Sequence, residues 1–299
     1  MLTGELAQPF FLSVGFFETH REFMKPSSPR DAKYSLPPAP LPDTPETRRD
    51  IGAYKASAWD LDLGIGAVLD ALDASGLAEN TLVICTTDHG IAFPRMKGYL
   101  TDHGIGVMLI MRGPGGFTGG QVFDALVSQI DIFPTICDLL EIDHPKWLQG
   151  TSMMPLLRGE DKEIHDAIFA EVTFHAAYEP MRAVRTQRWK YIRRFDHHLG
   201  PVLPNCDDSF SKDVLIANGW KDRSRPLEQF YDLIFDANEA NNMANDLSVA
   251  VALEEMRTRL DDWMYSTNDP LLRGPVPAPA GAELNDPDQM SPSYPTRFV

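Results

Sequence analysis

The sequence predicts an α/β fold: a mostly parallel sheet flanked by helices, followed by a smaller antiparallel α+β subdomain. Three observations predict it. Short apolar runs at 9–17, 81–86 and 107–112 have the length of strands and are bounded by turn residues. A long stretch of helical periodicity separates the first two runs. After about residue 160 the apolar pattern changes to alternation, as half-buried antiparallel strands require.

In chain order, PFFLSVGFF (9–17) reads as a buried strand that ends at the polar residues Glu18, Thr19, His20 and Arg21. Residues 24–45 contain seven prolines and read as an irregular surface excursion. Thr44-Pro45-Glu46 is a helix start with Pro at the first helical position. Ile51, Tyr54, Ala58, Leu61, Ile65, Leu69 and Leu72 then follow at spacings of three and four until Gly76. Residues 81–86 read as a buried parallel strand running into Thr87-Asp88-His89-Gly90, and VMLIMR (107–112) as another strand. Residues 124–140 read as a strand edge followed by a helix through Ile130, Phe133, Ile136 and Leu140. AIFAEVTF (167–174) and RAVRTQRWKYIRRF (182–195) alternate, and 246–266 is an amphipathic helix. The tail from Asp269 is rich in Pro, Ala and Asp and is predicted to lie extended over the surface. The two units are 1–160 and 161–299, with no internal repeat.

Length and charge narrow the function. A chain of 299 residues, 43% hydrophobic, buries a sizeable core. Its formal net charge of −16 argues against nucleic acid or an anionic membrane surface as partner, and any anion site must be a local basic cluster. Cys85, Cys137 and Cys206 are far apart, without metal-ligand spacing, and Cys85 and Cys137, inside apolar runs, read as buried thiols. No apolar run is long enough to span a membrane. The first residues lack a signal-peptide pattern and read as a chain entered just before an internal strand, so the earlier strands are expected to be missing and the compartment stays open.

In parallel sheets, sites form at the carboxyl ends of strands. Asp88-His89-Gly90 falls there, and a carboxylate beside an imidazole can hold a divalent cation; alone, the triplet is equally a capped turn with a surface histidine. Asp102-His103-Gly104 precedes a strand and is assigned to a turn. Lys97 is nine residues after Asp88, on a loop that can fold a cation back over the metal and grip an anionic oxygen; Arg95 competes for that role, and a solvated loop lysine is the bland reading. His20, just past a strand, can serve as general acid or as a satisfied surface histidine.

Four segments together resemble the sulfatase family of the alkaline-phosphatase-like superfamily: PFFLSVGFFETHREF, YKASAWDLDLGIGAVLDALDASGLAENTLVICTTDHG, LIMRGPGG, and VSQIDIFPTICDLLEI followed by LQGTSMMPLLRG. EQFYDLIFDANEANNMA is similar to the family's C-terminal signature. DHGIAFPRMKGYL, AEVTFHAAYEPMRAVRTQRWKYIRRF and WMYSTNDPLL resemble the heparan N-sulfatase branch. The resemblance implies that Asp88 and His89 are the second pair of metal ligands, where the family often has Asn in place of His89. It implies Ca²⁺ as the cation, with His89 making Mn²⁺ or another transition metal plausible. It implies that Lys97 binds sulfate, that His20 contacts the sulfate or the leaving group, and that Glu171, His175 and Arg182 shape a sugar pocket. The substrate class it implies is a sulfated carbohydrate or small sulfate ester; homo-oligomerisation stays open.

The resemblance also implies an N-terminal half with an Asp-Asp pair and a C/S-x-P-x-R motif whose Cys or Ser becomes formylglycine, the nucleophile. That half is expected to be missing and formylglycine not to be encoded here. Ser27-Ser28-Pro29-Arg30 has the wrong spacing, and Asp207-Asp208 lies in a polar loop, so neither is assigned. Three functions follow: a sulfatase, truncated and inactive as this chain; a non-catalytic glycan- or partner-binding module; or a phosphomonoesterase or phosphodiesterase of the same superfamily.

Overall fold

A computed structural model describes residues 7–26 and 29–298. Helix α1 (Pro29–Tyr34) interrupts the proline-rich excursion. Helix α2 (Pro45–Ala74) starts where Thr44 caps it: the Thr44 hydroxyl accepts from the Thr47 N–H, and the Thr47 hydroxyl accepts from the Thr44 N–H. Gly76, at φ +73°, follows its end. A side chain at Gly52 would meet the Cα of Ala32 at 2.8 Å, so only glycine lets α1 and α2 approach this closely.

Strand β1 (Val83–Thr86) leads to the one-turn helix α3 (Asp102–Ile105) and to strand β2 (Leu109–Arg112). Helices α4 (Ile132–Leu139) and α5 (Met154–Arg158) follow. A four-stranded sheet then forms in the order β3 (Ile168–Phe174), β4 (Tyr178–Arg185), β5 (Trp189–Arg194) and β6 (Glu228–Asp232), with α6 (Phe210–Ala217) inserted between β5 and β6. Helix α7 (Ala250–Ser266) covers one face of it: Leu253, Met256, Leu260 and Met264, spaced three and four apart, meet Val184, Tyr191 and Phe230 in the main core. The C-terminal stretch ends in the short pair β7 (Glu283–Leu284) and β8 (Arg297–Phe298). Among the described residues no helix is long and apolar enough to cross a membrane.

The α/β class and the smaller antiparallel C-terminal unit stand as read, but several expectations are corrected. Every strand pair among the described residues is antiparallel, including β1 with β2 (Val83 opposite Arg112, Thr86 opposite Leu109). The reason lies in the connection. The Gly90 N–H donates to the Gly104 carbonyl at 2.8 Å, so the loop closes on itself and the chain re-enters at the edge it left. Glycine is needed at position 90 for this approach, since a Cβ there would lie 1.9 Å from the His103 carbonyl oxygen. Residues 9–17 are not a buried strand. Phe11 is 89% exposed and Phe17 71% exposed, and no described strand stands beside them to take up their backbone groups. Strand 81–86 is half-buried, and residues 124–128 form no strand edge. The tail is partly anchored rather than wholly superficial: Asp269, Leu271, Leu284 and Asn285 are buried. All three cysteines are free thiols; Cys137 and Cys206 are buried, Cys85 only half so.

Candidate functional site

The site gathers on the loops around residues 20, 89, 97, 175 and 207. His20 is placed by its neighbour. The Arg21 guanidinium makes two parallel hydrogen bonds to the buried Asp50 of α2 (2.8 and 2.9 Å) and donates through Nε to the Ala92 carbonyl (2.9 Å). It also stands over the rings of Phe23 (4.2 Å) and Phe93 (4.7 Å). One arginine thereby ties the segment carrying His20 to the loop carrying Lys97. Phe93 and Met96 are buried with Leu41 and Ile51, which anchors that loop on either side of Pro94-Arg95. Lys97 projects from it to His20 Nε2 at 3.5 Å and to the Asp207 carboxylate at 3.2 Å.

The tautomers follow from the backbone. A carbonyl can only accept, so the His20 Nδ1 contact with the Arg21 carbonyl (2.6 Å) puts the proton on Nδ1 and leaves Nε2 as the acceptor facing Lys97. In the same way His89 Nδ1 donates to the Gly90 carbonyl (2.5 Å), and its Nε2 lone pair lies 3.6 Å from the Asp88 carboxylate. That is the orientation a metal-ligating imidazole needs. The donor set is nonetheless incomplete: among the described residues no group of three or more His, Cys, Asp or Glu side chains converges. Asp88 is 87% exposed. Of these two donors only the Asp88 carboxylate supplies oxygen, a small part of the six to eight oxygens that Ca²⁺ takes.

His175 sits at the β3–β4 hairpin tip. Asn205 holds that tip by accepting from the Ala177 N–H (2.7 Å), and it donates to the buried Glu179 (2.6 Å). Although His175 reaches solvent, the protein mass around the ring lowers its pKa; the charge of Lys97 lowers it further, Asp207 opposes this, and His89 and His20 contribute smaller lowering effects. Lys97, Asp207, His89 and His20 thus lie near enough to act electrostatically on one imidazole. Protonation is disfavoured in the folded chain, so this histidine's contribution to stability is present above its unfolded-state pKa and is lost as pH falls through the folded value. In a ¹H–¹³C titration His175 should titrate below an ordinary histidine. Lys97→Ala should move its midpoint up and Asp207→Asn should move it down. Midpoints unmoved by both substitutions would show that the groups do not share a cleft.

Other expected residues lie elsewhere. Arg182 is 1% exposed, and its donors go to Asp269 (2.5 and 3.2 Å), Glu171 (3.1 Å), Thr173 and the carbonyls of Val172 and Met181. It is a buried fold-holding ion, with no N–H left to meet a sugar, and Glu171 flanks it at the surface. Arg95 acts electrostatically on Tyr99, His103 and Tyr231 rather than on His175. The Asp102 carboxylate turns away from the site to Lys190 and Arg185; burial opposes its ionisation, but these two cations hold its pKa below the usual range. Asp207, weighed in the sequence only as part of an Asp-Asp pair and left unassigned, lies 110 positions from Lys97, and no local pattern joins the two.

Comparison with known proteins gives the family. A sulfatase family model matches residues 1–142, and a model of the N-sulphoglucosamine sulphohydrolase C-terminal region matches 92–199. The chain belongs to the sulfatase family. It is 30% identical over 265 residues to the human N-sulphoglucosamine sulphohydrolase, covering 80% of this chain and 52% of that protein. It is 27% identical to an ulvan-active sulfatase of Formosa agariphila, covering 80% of this chain and 42% of the relative. A solved 2-O GAG sulfatase superposes with a TM-score of 0.61 at 25% identity, over 84% of this chain and 50% of that one. The sulfatase chain therefore spans about half the length of the curated relatives it matches. Its family works with a divalent metal.

One expectation about the sulfatase nucleophile is corrected by the sequence. The spacing S-x-P-x-R does occur, as Ser293-Tyr294-Pro295-Thr296-Arg297. It stands in the C-terminal tail, not in an N-terminal half. Its backbone bonds to Ser291, Thr296 bonds to Glu283, and among the described residues Ser293 makes no hydrogen bond to His20, Lys97 or His175. The near-match at Ser27-Ser28 falls outside the described residues.

Proposed function

We propose that this chain forms the sulfate-recognising side of a sulfatase site that hydrolyses a sulfuric ester or N-sulfate on a sulfated sugar, on the heparan N-sulfatase branch. The observation that carries this reading is the meeting of Lys97 with His20 at 3.5 Å, beside Asp207, on a chain whose net charge is strongly negative. The Lys97 ammonium is the cation this arrangement offers to an anion, with Asp207 beside it. Lys97 holds a sulfate oxygen as a point charge, His20 serves the leaving oxygen through Nε2 once that nitrogen also carries a proton, and His175 forms the sugar-side rim. Asp88 and His89 are this chain's contribution to the divalent cation. When bound, the cation neutralises sulfate charge. Ca²⁺ is the proposed ion, and the His89 nitrogen admits Mn²⁺ in its place. Residues 1–160 are proposed as the catalytic-domain portion and 161–299 as the C-terminal unit that brings His175 and Asp207 to it.

The test is calorimetric titration with inorganic sulfate. A charge-assisted hydrogen bond contributes about 1.5–3 kcal/mol, so Lys97→Ala should weaken binding roughly 10- to 100-fold. Arg95→Ala, which removes a cation acting on Tyr99, His103 and Tyr231, should leave it unchanged. Equal affinity in the Lys97→Ala chain would overturn the reading. Hydrolysis is checked on the full-length protein with glucosamine N-sulfate and an aryl sulfate; binding without turnover of either would make the fold a glycan-binding module.

A further inference from the structure

We infer that Asp207 is a specificity-determining residue of the sulfate site: its carboxylate receives a hydroxyl vicinal to the bound sulfate and refuses a second sulfate at that position. The inference rests on the function proposed above and deepens it. The Asp207 carboxylate lies 3.2 Å from the Lys97 ammonium, and both side chains keep a path to solvent (25% and 11% exposed). An anion gripped by Lys97 is therefore held within a few ångströms of a fixed negative charge.

Asp207 is held in place from both sides. Asn205, two residues earlier, is buried and hooked to the hairpin tip at Ala177. Asp208, one residue later, accepts from the buried Lys212 (2.8 Å) and from the Ser291 hydroxyl, and Lys212 also donates to the Cys206 carbonyl (2.7 Å). The loop cannot swing the carboxylate away from Lys97 without breaking these contacts. An acidic group beside an anion-binding lysine weakens anion binding by partly neutralising the cation, so its gain must lie in selection. A carboxylate accepts hydrogen bonds only, which a neighbouring sugar hydroxyl satisfies and a neighbouring sulfate cannot.

The experiment measures affinities of the 299-residue chain for four probes: inorganic sulfate, glucosamine N-sulfate, the vicinal glucosamine N,3-O-disulfate and the non-vicinal glucosamine N,6-O-disulfate. The wild type should bind the N-sulfate at least tenfold more tightly than the vicinal disulfate and discriminate less against the non-vicinal one. Asp207→Asn, which keeps the shape and removes the charge, should bring the first ratio close to one while binding inorganic sulfate as well as or better than the wild type. Asp207→Ser serves as a second charge-removing variant, and thermal melts verify that both variants are folded. Discrimination that persists in folded variants whose sulfate binding still depends on Lys97 overturns the role of Asp207 alone. Sulfate binding that does not depend on Lys97 overturns the underlying site.

Discussion

Asp50→Ala should lower the unfolding free energy by about 3–5 kcal/mol, the cost of leaving a buried charge without its counterion. The Arg21 and Asp50 side chains are nearly buried, and the aspartate also accepts from the Ser211 hydroxyl at 2.6 Å, which brings α6 into the same knot. Removal of the carboxylate strands the Arg21 guanidinium between the rings of Phe23 and Phe93. It also releases the arginine that holds Ala92, and with it the loop bearing Lys97. Urea denaturation of the chain measures the effect. Asp70→Ala, an exposed position on the same helix, should change stability by no more than about 0.5 kcal/mol. A loss below about 1 kcal/mol for Asp50→Ala would mean that the knot is solvated and does not hold the site. The histidine signal of His20 should shift in the same variant, because its neighbour is what fixes the segment.

Asp269→Ala should cost a similar amount, about 3–5 kcal/mol, through Arg182. The two residues are 87 positions apart and both are buried, and the carboxylate additionally caps the turn at Leu271. Glu171 touches the same guanidinium at 3.1 Å but is 59% exposed, so Glu171→Ala should cost no more than about 1 kcal/mol. The contrast separates two roles for Arg182. If the arginine served a sugar, its partners would be replaceable and both substitutions would be mild. A structural ion makes the buried partner matter and the surface partner not.

How much of this was legible in the sequence depended on the range of the interaction. Helix α2 could be read to within two residues, since Thr44, Pro45 and Gly76 act on their own backbone and the apolar spacing repeats locally. Helix α7 and strand β3 were legible from their local patterns, whereas 182–195 read as one alternating stretch that the structure divides between the end of β4 and β5. The run at 9–17 has strand composition, yet composition does not supply a neighbour, and without one the segment lies open. The direction of β1 against β2 depends on how the chain between them folds back, including the contact between Gly90 and Gly104, fourteen residues apart, which no periodicity encodes. Arg182 illustrates the opposite error: a charged residue in a segment of family likeness reads as a ligand contact until its burial is known.

The amino-acid sequence alone determined the family likeness, the helices with local caps, and the residue types at 20, 88, 89 and 97, because each rests on chemistry within a few positions along the chain. Only the tertiary structure decided that Asp207 faces Lys97, that His175 sits at a hairpin tip held by Asn205, and that Arg182 is buried against Asp269. Those facts depend on which distant segments touch, and contact between them is set by packing and by paired buried charges rather than by local sequence.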